Sequence, residues 1–337
     1  MLRCVRARSM ATHRTKTYHV SEDTVQRYQR DGAVVLRDVL NADELTVLRE
    51  AIDWNLANPG PLAGVASRTS DPGRFFEDFC NWQRIAGYQR LAFSSALPGV
   101  AARLMQSKTC RLHHDHMLVK EARTAQSTPW HQDQPYYNIS GRQNVSFWMP
   151  VDPVPRESTL EFVAGSHADG VWYMPKTFLT EESKWFPAGS LAEVPDVKRE
   201  NPKVLGWALQ PGDAIAFHML TLHGSAGTTA LRRAFSIRMI GDDVRHAPRP
   251  WPHNPTGPHA EAGPPGAAGL NARPAWRLGP PPPARGTLPG EADGPSADPG
   301  LLQPNRAWRL RLLCTLGHAP PAAPAAGRSV LRSVHLA

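Results

Sequence analysis

Two short motifs carry residue types suited to binding a metal ion. The first is Trp130-His131-Gln132-Asp133, in which one residue separates an imidazole from a carboxylate. Alternate side chains of a β-strand point to the same face, so His131 and Asp133 are placed to reach one ion. Imidazole and carboxylate with coordination positions left open are typical of oxygen-activating ferrous sites. By itself the triplet is weak support, because His-x-Asp arises by chance in loops and cores.

A third ligand is expected from a neighbouring strand, and Thr221-Leu222-His223-Gly224-Ser225 offers one. This segment follows a Pro-Gly-Asp turn and the apolar strand Ala214–Phe217. His223 can also be read as a loop-capping histidine, and His218 is a nearby competitor. His218 lacks the Gly-Ser that follows His223, and we expect it to end the strand or to support the ligands. The predicted metal ligands are therefore His131, Asp133 and His223.

An arginine-bearing strand follows the second motif. Nine residues after His223 begins the run Arg232-Arg233-Ala234-Phe235-Ser236-Ile237-Arg238-Met239-Ile240. Because successive side chains of a strand point to opposite faces, one face of this run is small and polar and carries Arg232, Ala234, Ser236 and Arg238. A planar guanidinium binds a carboxylate through two parallel bonds, so this face suits a cavity that holds an acid. A solvent-exposed basic cluster is the alternative, but the spacing from His223 favours the cavity.

These motifs belong to an ordered series. Its members are Asp31-Gly32-Ala33-Val34-Val35-Leu36, Asp43-Glu44-Leu45, His116-Met117-Leu118-Val119-Lys120-Glu121, Thr128-Pro129-Trp130-His131-Gln132-Asp133, Trp148, His223-Gly224-Ser225 and Arg232-Arg233-Ala234. In order and spacing the series resembles the phytanoyl-CoA dioxygenase family of Fe(II)- and 2-oxoglutarate-dependent oxygenases. The resemblance spans residues 22–243, about two thirds of the chain.

The resemblance implies a double-stranded β-helix (jelly roll) and a set of site residues. In the family, 2-oxoglutarate chelates iron through its 1-carboxylate and 2-keto oxygens. Its far carboxylate would then meet Arg232 and Ser225. Three further residues, Trp148, Met117 and Glu121, match positions that line the co-substrate pocket in relatives. For Trp148 a place in the core is an equally good reading, because indoles are commonly buried.

The implied reaction is hydroxylation of a small organic substrate by O₂, with release of succinate and CO₂. Asp133 is informative here, because related halogenases have a small residue in place of this carboxylate. The sequence leaves the primary substrate open among an acyl-CoA, a free carboxylic acid and a small polar metabolite.

One segment departs from the family pattern. Arg156-Glu157-Ser158-Thr159-Leu160 and Ala164-Gly165-Ser166-His167 stand where relatives have an Asn-Gly turn and then Pro-Gly-Ser-His. Threonine tolerates positive φ poorly, so the turn must differ here. This departure motivates an alternative: a non-catalytic jelly-roll interaction protein whose proline-rich tail binds partners.

The elements expected to position the motifs are helices followed by strands. Glu22 opens a helix that ends at Asp31-Gly32, and Asn41 caps a second helix. Residues 62–84 read as a loop, and strands are expected at 109–119, 144–151, 158–163, 214–217 and 234–240. Helices followed by several separate strands predict a mainly β fold with flanking helices.

Composition narrows the function class. Hydrophobic residues make up 41% of 337, enough for a sizeable core, yet no run approaches the ~20 apolar residues of a membrane span. The net charge of +8 is concentrated towards the ends, and no basic, aromatic-interleaved groove indicates nucleic acid. The four cysteines form no CxxC pair and are expected to be free thiols in a reducing compartment.

Three regions are therefore expected. Residues 1–20 form a basic tail, 21–250 the jelly-roll domain, and 251–337 a proline- and alanine-rich, disordered tail. The acid-free N-terminus allows a cytoplasmic protein with a plain tail or a mitochondrial protein with a transit peptide. Of the 33 prolines, 19 lie between Pro248 and Pro324, a composition that buries too little apolar surface to offset chain entropy.

Deleting the residues after Pro255 should leave the melting temperature nearly unchanged, because a solvated proline-rich segment contributes little burial. Differential scanning calorimetry of the full and shortened chains measures the effect. A clear fall in the melting temperature of the shortened chain would show that the tail packs on the core.

Overall fold

The structure is a computed structural model that describes residues 17–176 and 189–249. Its helices are α1 (Glu22–Asp31), α2 (Ala42–Ala57), α3 (Ala86–Ser94), α4 (Leu97–Met105) and α5 (Val197–Glu200). Its strands are β1 (Ala33–Leu36), β2 (Gly64–Val65), β3 (Phe75–Phe79), β4 (Arg111–Lys120), β5 (Thr128–His131), β6 (Ile139–Ser140), β7 (Asn144–Pro150), β8 (Leu160–Val163), β9 (Val204–Leu205), β10 (Ala214–Phe217), β11 (His223–Ser225), β12 (Arg232–Ile240) and β13 (Arg245–His246). The predicted tail 251–337 lies outside the described residues, as does the predicted N-terminal tail except for its last four residues.

Local capping signals fix the first two helices where the sequence predicts them. The Ser21 hydroxyl accepts a hydrogen bond from the Thr24 amide at 3.1 Å and starts α1. Gly32 ends α1 with a φ of 78°, a left-handed conformation that glycine adopts without steric cost. Asn41 and Glu44 form a reciprocal capping box at the start of α2.

Two β-sheets form the body of the fold. The larger has seven strands in the order β1-β10-β7-β12-β4-β3-β2, and the smaller has four in the order β5-β11-β8-β9. Apolar side chains from both sheets share one cluster, including Trp148 and Phe217 from the larger sheet and Phe162 from the smaller. This is the predicted double-stranded β-helix, and it leaves a cavity between the sheets.

The four N-terminal helices cover the outer face of the larger sheet. Apolar side chains of α1 to α4 form one core cluster with outward side chains of β4, β7, β10 and β12. Tyr88 of α3 stacks on Phe235 of β12 with ring centroids 3.9 Å apart. The strands of the larger sheet are therefore buried on both faces, against helices on one side and against the cavity on the other.

The expectation of a loop over residues 62–84 is wrong for part of that segment. Phe75–Phe79 forms β3, which pairs with β4 along its whole length, and Gly64–Val65 adds β2 beyond it. The sequence pattern did not predict this strand, because the adjacent acidic residues Glu77 and Asp78 are more typical of a loop. Both are buried, and Asp78 accepts hydrogen bonds from the Asn55 side chain at 2.6 Å and the Gly60 amide at 2.7 Å.

The segment that departs from the family pattern makes its turn without positive φ at threonine. Residues Arg156–Ser158 form a short 3₁₀ helix, and Thr159 leaves it in extended conformation with a φ of −80°. The positive φ in this region falls on Gly165, at 82°. Strand β8 therefore joins the smaller sheet without strain at the substituted position.

Two further features concern membrane spans and cysteines. No helix within the described ranges is long and apolar enough to cross a membrane. Cys80 and Cys110 are free thiols. Cys4 and Cys314 lie outside the described residues.

Phe235→Ala should lower the free energy of unfolding by about 3–5 kcal/mol, because it removes a fully buried ring and its stacking partner for Tyr88. Chemical denaturation measures the change. Leu231→Ala is the control: that side chain is 43% exposed, and its loss should cost less than about 0.5 kcal/mol. Equal effects of the two substitutions would contradict the assigned outer core.

Candidate metal centre

Three side chains with metal-binding atoms converge between the sheets. Strands β5 and β11 pair antiparallel with His131 opposite His223, which places the two rings 4.2 Å apart. Asp133 Oδ1 lies 3.8 Å from His131 Nε2 and 4.0 Å from His223 Nε2. The ligand atoms of the three residues lie within 4.8 Å of one another, and all three residues are buried. The structure thus brings the whole predicted ligand set together.

Asp133 reaches this position by a route other than the one predicted. Strand β5 ends at His131, and Asp133 begins the 3₁₀ helix Gln134–Tyr136 with helical φ and ψ of −73° and −41°. A helical turn, rather than the alternation of a strand, therefore carries the carboxylate to the histidines. The sequence motif was informative, but the geometric reason given for it was wrong.

Gln132 holds that turn, a role the sequence analysis missed. Its buried amide donates to the carbonyl oxygens of Leu220 at 2.9 Å and Val171 at 3.0 Å. Its side-chain oxygen accepts from the Tyr173 amide at 2.9 Å. The only signal in the sequence was its position inside the motif, between two ligands.

Backbone carbonyls fix the tautomers of both histidines. Nδ1 of His131 donates to the Pro129 carbonyl at 2.8 Å, and Nδ1 of His223 donates to the Thr221 carbonyl at 2.9 Å. A carbonyl oxygen only accepts, so the proton is on Nδ1 and each Nε2 keeps its lone pair. Both lone pairs belong to the nitrogens nearest Asp133. This is the usual orientation of histidines that bind a metal.

The electrostatics hold the ligands in their metal-binding forms. Burial lowers the pKa of His223 to about 3 and also lowers the pKa of His131, so both rings are neutral at neutral pH. Burial raises the pKa of Asp133, but Arg238 and the two histidines outweigh it and lower the pKa to about 2. Two neutral imidazoles and an ionised carboxylate are the donor set of a ferrous facial triad.

The second oxygen of Asp133 is anchored by the larger sheet. Oδ2 accepts from the Ser146 hydroxyl at 3.2 Å and from Arg238 Nε at 3.3 Å. Ser146 and Arg238 are directly opposite each other on β7 and β12. They leave Oδ1 facing the histidines, so they act as supports for the ligand.

The cavity extends from the triad between the two sheets. Trp148 and Arg232 line it, as the resemblance implied. The Arg232 guanidinium is buried, lies 5.6 Å from the Trp148 ring centre and donates to the Ser158 carbonyl. Burial lowers the pKa of Arg232 to about 10, which still leaves it charged at neutral pH.

The structure does not bring Met117 or Glu121 to the cavity. Alternation along β4 turns His116 and Leu118 inward, so Met117 points outward into the helix-side core. Glu121 follows the end of β4 and pairs with Arg74 at 2.7 Å near the surface. The predicted pocket roles of these two residues are corrected on this geometry.

Ser225 lies beside a buried lysine that the sequence analysis missed. Ser225 is outside the set of side chains that line the cavity, and its hydroxyl lies 3.4 Å from Lys120 Nζ. Lys120 also donates to the carbonyls of Gln126 at 2.8 Å and Ala226 at 3.0 Å. Burial, and then Arg232, hold the pKa of Lys120 well below its ordinary value. The sequence does indicate this position for Lys120, because alternation along the strand puts it on the same face as His116 and Leu118.

His131→Ala, Asp133→Ala and His223→Ala should each weaken ferrous iron binding by more than about a hundredfold, the upper range for loss of a supporting residue. Anaerobic calorimetric titration of iron measures the loss, and circular dichroism reports the fold. His246→Ala is the control, since this exposed histidine lies on β13. A triad variant that retained wild-type iron affinity and 2-oxoglutarate decarboxylation would be removed from the ligand set.

Comparison with solved structures finds the same fold in proteins that were solved with 2-oxoglutarate. The epimerase SnoN, solved with Fe³⁺, α-ketoglutarate and nogalamycin RO, is 23% identical, with a TM-score of 0.54 over 75% of this chain and 93% of that one. EvdO2 from Micromonospora carbonacea var. aurantiaca, complexed with 2-oxoglutarate, is 18% identical, with a TM-score of 0.53 over 70% and 98%. EctD from S. alaskensis, with 2-oxoglutarate and 5-hydroxyectoine, is 21% identical, with a TM-score of 0.50 over 66% and 76%.

Family membership follows from the sequence. No curated protein matches the chain significantly. The model of the phytanoyl-CoA dioxygenase family, in contrast, matches residues 28–234. That range covers more than half of the chain and includes all three converging ligands and Arg232. The protein belongs to the phytanoyl-CoA dioxygenase family and is an enzyme of the 2-oxoglutarate-dependent dioxygenase class.

Proposed function

We propose that this protein is an Fe(II)- and 2-oxoglutarate-dependent hydroxylase of a small organic substrate. One observation carries the proposal: a buried, charged Arg232 lines the same cavity as a complete His131, Asp133 and His223 triad. A metal-ligand set and an anion-binding group in one enclosed space are what a chelating dicarboxylate requires.

The triad residues fit iron and would hold it. Their donor atoms lie within 4.8 Å of one another. Three protein ligands would leave positions on a six-coordinate ion for a chelating co-substrate and O₂. Bound iron would supply the oxygen activation that couples conversion of 2-oxoglutarate to succinate and CO₂ with hydroxylation of a substrate C–H bond. Asp133 retains the carboxylate that distinguishes the hydroxylating members from halogenases.

Arg232 is the proposed anchor of the far carboxylate of 2-oxoglutarate. Among the residues that the structure describes, no carboxylate pairs with Arg232, whereas its neighbour Arg233 is bound by Asp152 at 2.8 Å and Asp53 at 2.7 Å. A guanidinium buried without an anion is costly, and a bound carboxylate offsets that cost. The bond from Arg232 to the Ser158 carbonyl keeps the side chain extended towards the smaller sheet.

Small-molecule chemistry is favoured over the non-catalytic alternative. The substituted segment that motivated the alternative still delivers β8 to the smaller sheet and the Ser158 carbonyl to Arg232. SnoN and EctD bind small molecules in the same fold. The arginines of the cavity are buried, so they do not form the exposed basic groove that a nucleic acid needs.

Arg232→Lys should weaken 2-oxoglutarate binding about 10- to 100-fold while iron binding stays nearly unchanged, because an ammonium cannot reproduce two parallel bonds to a carboxylate. Anaerobic titration of 2-oxoglutarate into the iron-loaded protein, followed by the metal-to-ligand charge-transfer band, measures both. Arg233→Lys is the matched control on the opposite face of β12.

Two results would count against this function. Failure of the charge-transfer band to form in the wild-type protein would favour the non-catalytic alternative. Loss of 2-oxoglutarate binding in Arg238→Lys, but not in Arg232→Lys, would move the anchor to Arg238.

A further inference from the structure

A second buried arginine lines the cavity at its metal-proximal end. Arg238 is 6% exposed and lies on the inward face of β12. Its Nε and Nη2 atoms both lie 3.3 Å from Oδ2 of Asp133. The guanidinium thus uses one edge to support a metal ligand.

The guanidinium of Arg238 also interacts with the Tyr137 hydroxyl, but that contact does not satisfy Nη1. Within the described part of the chain, its buried Nη1 has no hydrogen-bond partner. An unsatisfied buried donor costs about 1–3 kcal/mol, and more when it is charged. Such a group on a cavity wall requires an acceptor from outside the protein, and an anionic acceptor forms the strongest bond.

Arg238 and Arg232 are too far apart to bind one molecule of 2-oxoglutarate. They are six residues apart on one strand, which corresponds to about 20 Å between their Cα atoms. Arg232 lies beside Trp148, while Arg238 contacts Asp133, a ligand of the metal. A five-carbon diacid that chelates the metal and reaches Arg232 leaves Nη1 of Arg238 for another compound.

The charge of the loaded site also favours a second anion. The ferrous ion and two arginines carry four positive charges, against three negative charges on Asp133 and the co-substrate. One positive charge remains in a buried space where electrostatic interactions are strong. A monoanionic substrate neutralises it, and any charge on the buried Lys120 only strengthens the preference.

Asp115 is a buried carboxylate near Arg238, but it is not part of the cavity wall and accepts from two backbone amides. Within the described residues, Asp133 is the only carboxylate that lines the cavity. Glu77, behind the wall, lies 3.3 Å from His116 Nε2, and burial raises the pKa of Glu77 to about 8, so it is mostly neutral at pH 7. Burial also holds the pKa of His116 well below its ordinary range. The nearby rings of Phe79 and Tyr137 complete an uncharged wall.

We propose that the primary substrate carries a single carboxylate and that this group docks on Nη1 of Arg238. The inference rests on the proposed hydroxylase function and narrows its substrate class to small monocarboxylic acids. Arg238 then has two functions: it supports Asp133 and it places the C–H bonds near the substrate carboxylate beside the metal. An uncharged substrate, or an acid presented as a thioester, offers Nη1 only a neutral acceptor, which forms a weaker bond.

The test uses the full-length protein loaded anaerobically with Fe(II) and 2-oxoglutarate. The probes are matched sets of small aliphatic, aromatic and amino acids, each with its primary amide and its coenzyme A thioester. A change in the charge-transfer band under anaerobic conditions measures binding of the probe without turnover. Succinate release in air measures whether the probe stimulates conversion of 2-oxoglutarate. We expect acids to bind at least about tenfold more tightly than their amides and thioesters, the effect of one charge-assisted bond.

Three variants connect that preference to Arg238. At Fe(II) and 2-oxoglutarate concentrations that saturate the variant despite the lost support of Asp133, Arg238→Gln should weaken acid binding about 10- to 100-fold and abolish the preference over amides. The acid affinity of Arg238→Lys should lie between those of the wild type and Arg238→Gln, because lysine keeps the positive charge but lacks the planar set of donors of a guanidinium. Arg245→Gln, an equal charge change at an exposed site, should behave as the wild type. Melting temperatures check that each variant folds.

The outcomes separate this inference from the proposed function. If the band forms but no acid perturbs it, or if amides bind as well as acids, the inference fails and the hydroxylase proposal stands. The inference also fails if Arg238→Gln loses 2-oxoglutarate rather than the acids, because Arg238 then serves the co-substrate. If no band forms in the wild type, both proposals fail together.

Discussion

Strand β12 has no solvent-exposed face, and the site depends on that constraint. It pairs with β4 on one side and β7 on the other, while helices cover its outer face. Its alternation sends Phe235, Ile237 and Met239 to the helices and Arg232, Ser236 and Arg238 to the cavity. Polar and charged groups that cannot reach water must find partners inside the protein or in a ligand. A cavity that binds a metal and anions is how this fold meets that requirement.

Asp133 joins the two sheets electrostatically. It comes from the loop after β5 in the smaller sheet, and Ser146 and Arg238 of the larger sheet hold it from the other side. Its charge is stabilised by Arg238 even before a metal binds, which is why its pKa is low despite burial. The two histidines are oriented independently, by backbone carbonyls of their own strands. Short-range contacts from both sheets therefore orient the ligand set.

In the proposed function, the two arginines lie at different ends of the cavity and bind different acids. Arg232 lacks an internal carboxylate among the described residues and faces Trp148, which suits an exchangeable acid that must enter and leave. Asp133 partly neutralises Arg238 through Nε and Nη2, so a ligand at Nη1 meets a guanidinium that is already oriented by an ion pair. On this division the same strand sets co-substrate affinity at one end and substrate choice at the other.

The sequence by itself determined the features that depend on local spacing. Capping residues fixed α1 and α2, and the two-residue repeat of a strand identified the inward face of β12. These signals are local because backbone geometry fixes which side chains share a face. The family resemblance added the fold, which no single motif establishes.

Only the tertiary structure decided which side chains meet across strands. Pattern reading missed β3, since Glu77 and Asp78 read as loop residues until their buried partners are seen. The family resemblance placed Met117 and Glu121 in the pocket, whereas the pairing of β4 with β12 turned His116 and Leu118 inward. Pattern reading could not assign Arg238, because its partner Asp133 is 105 residues away. Contacts at such separations depend on how the two sheets pack, and no local pattern in the sequence encodes that packing.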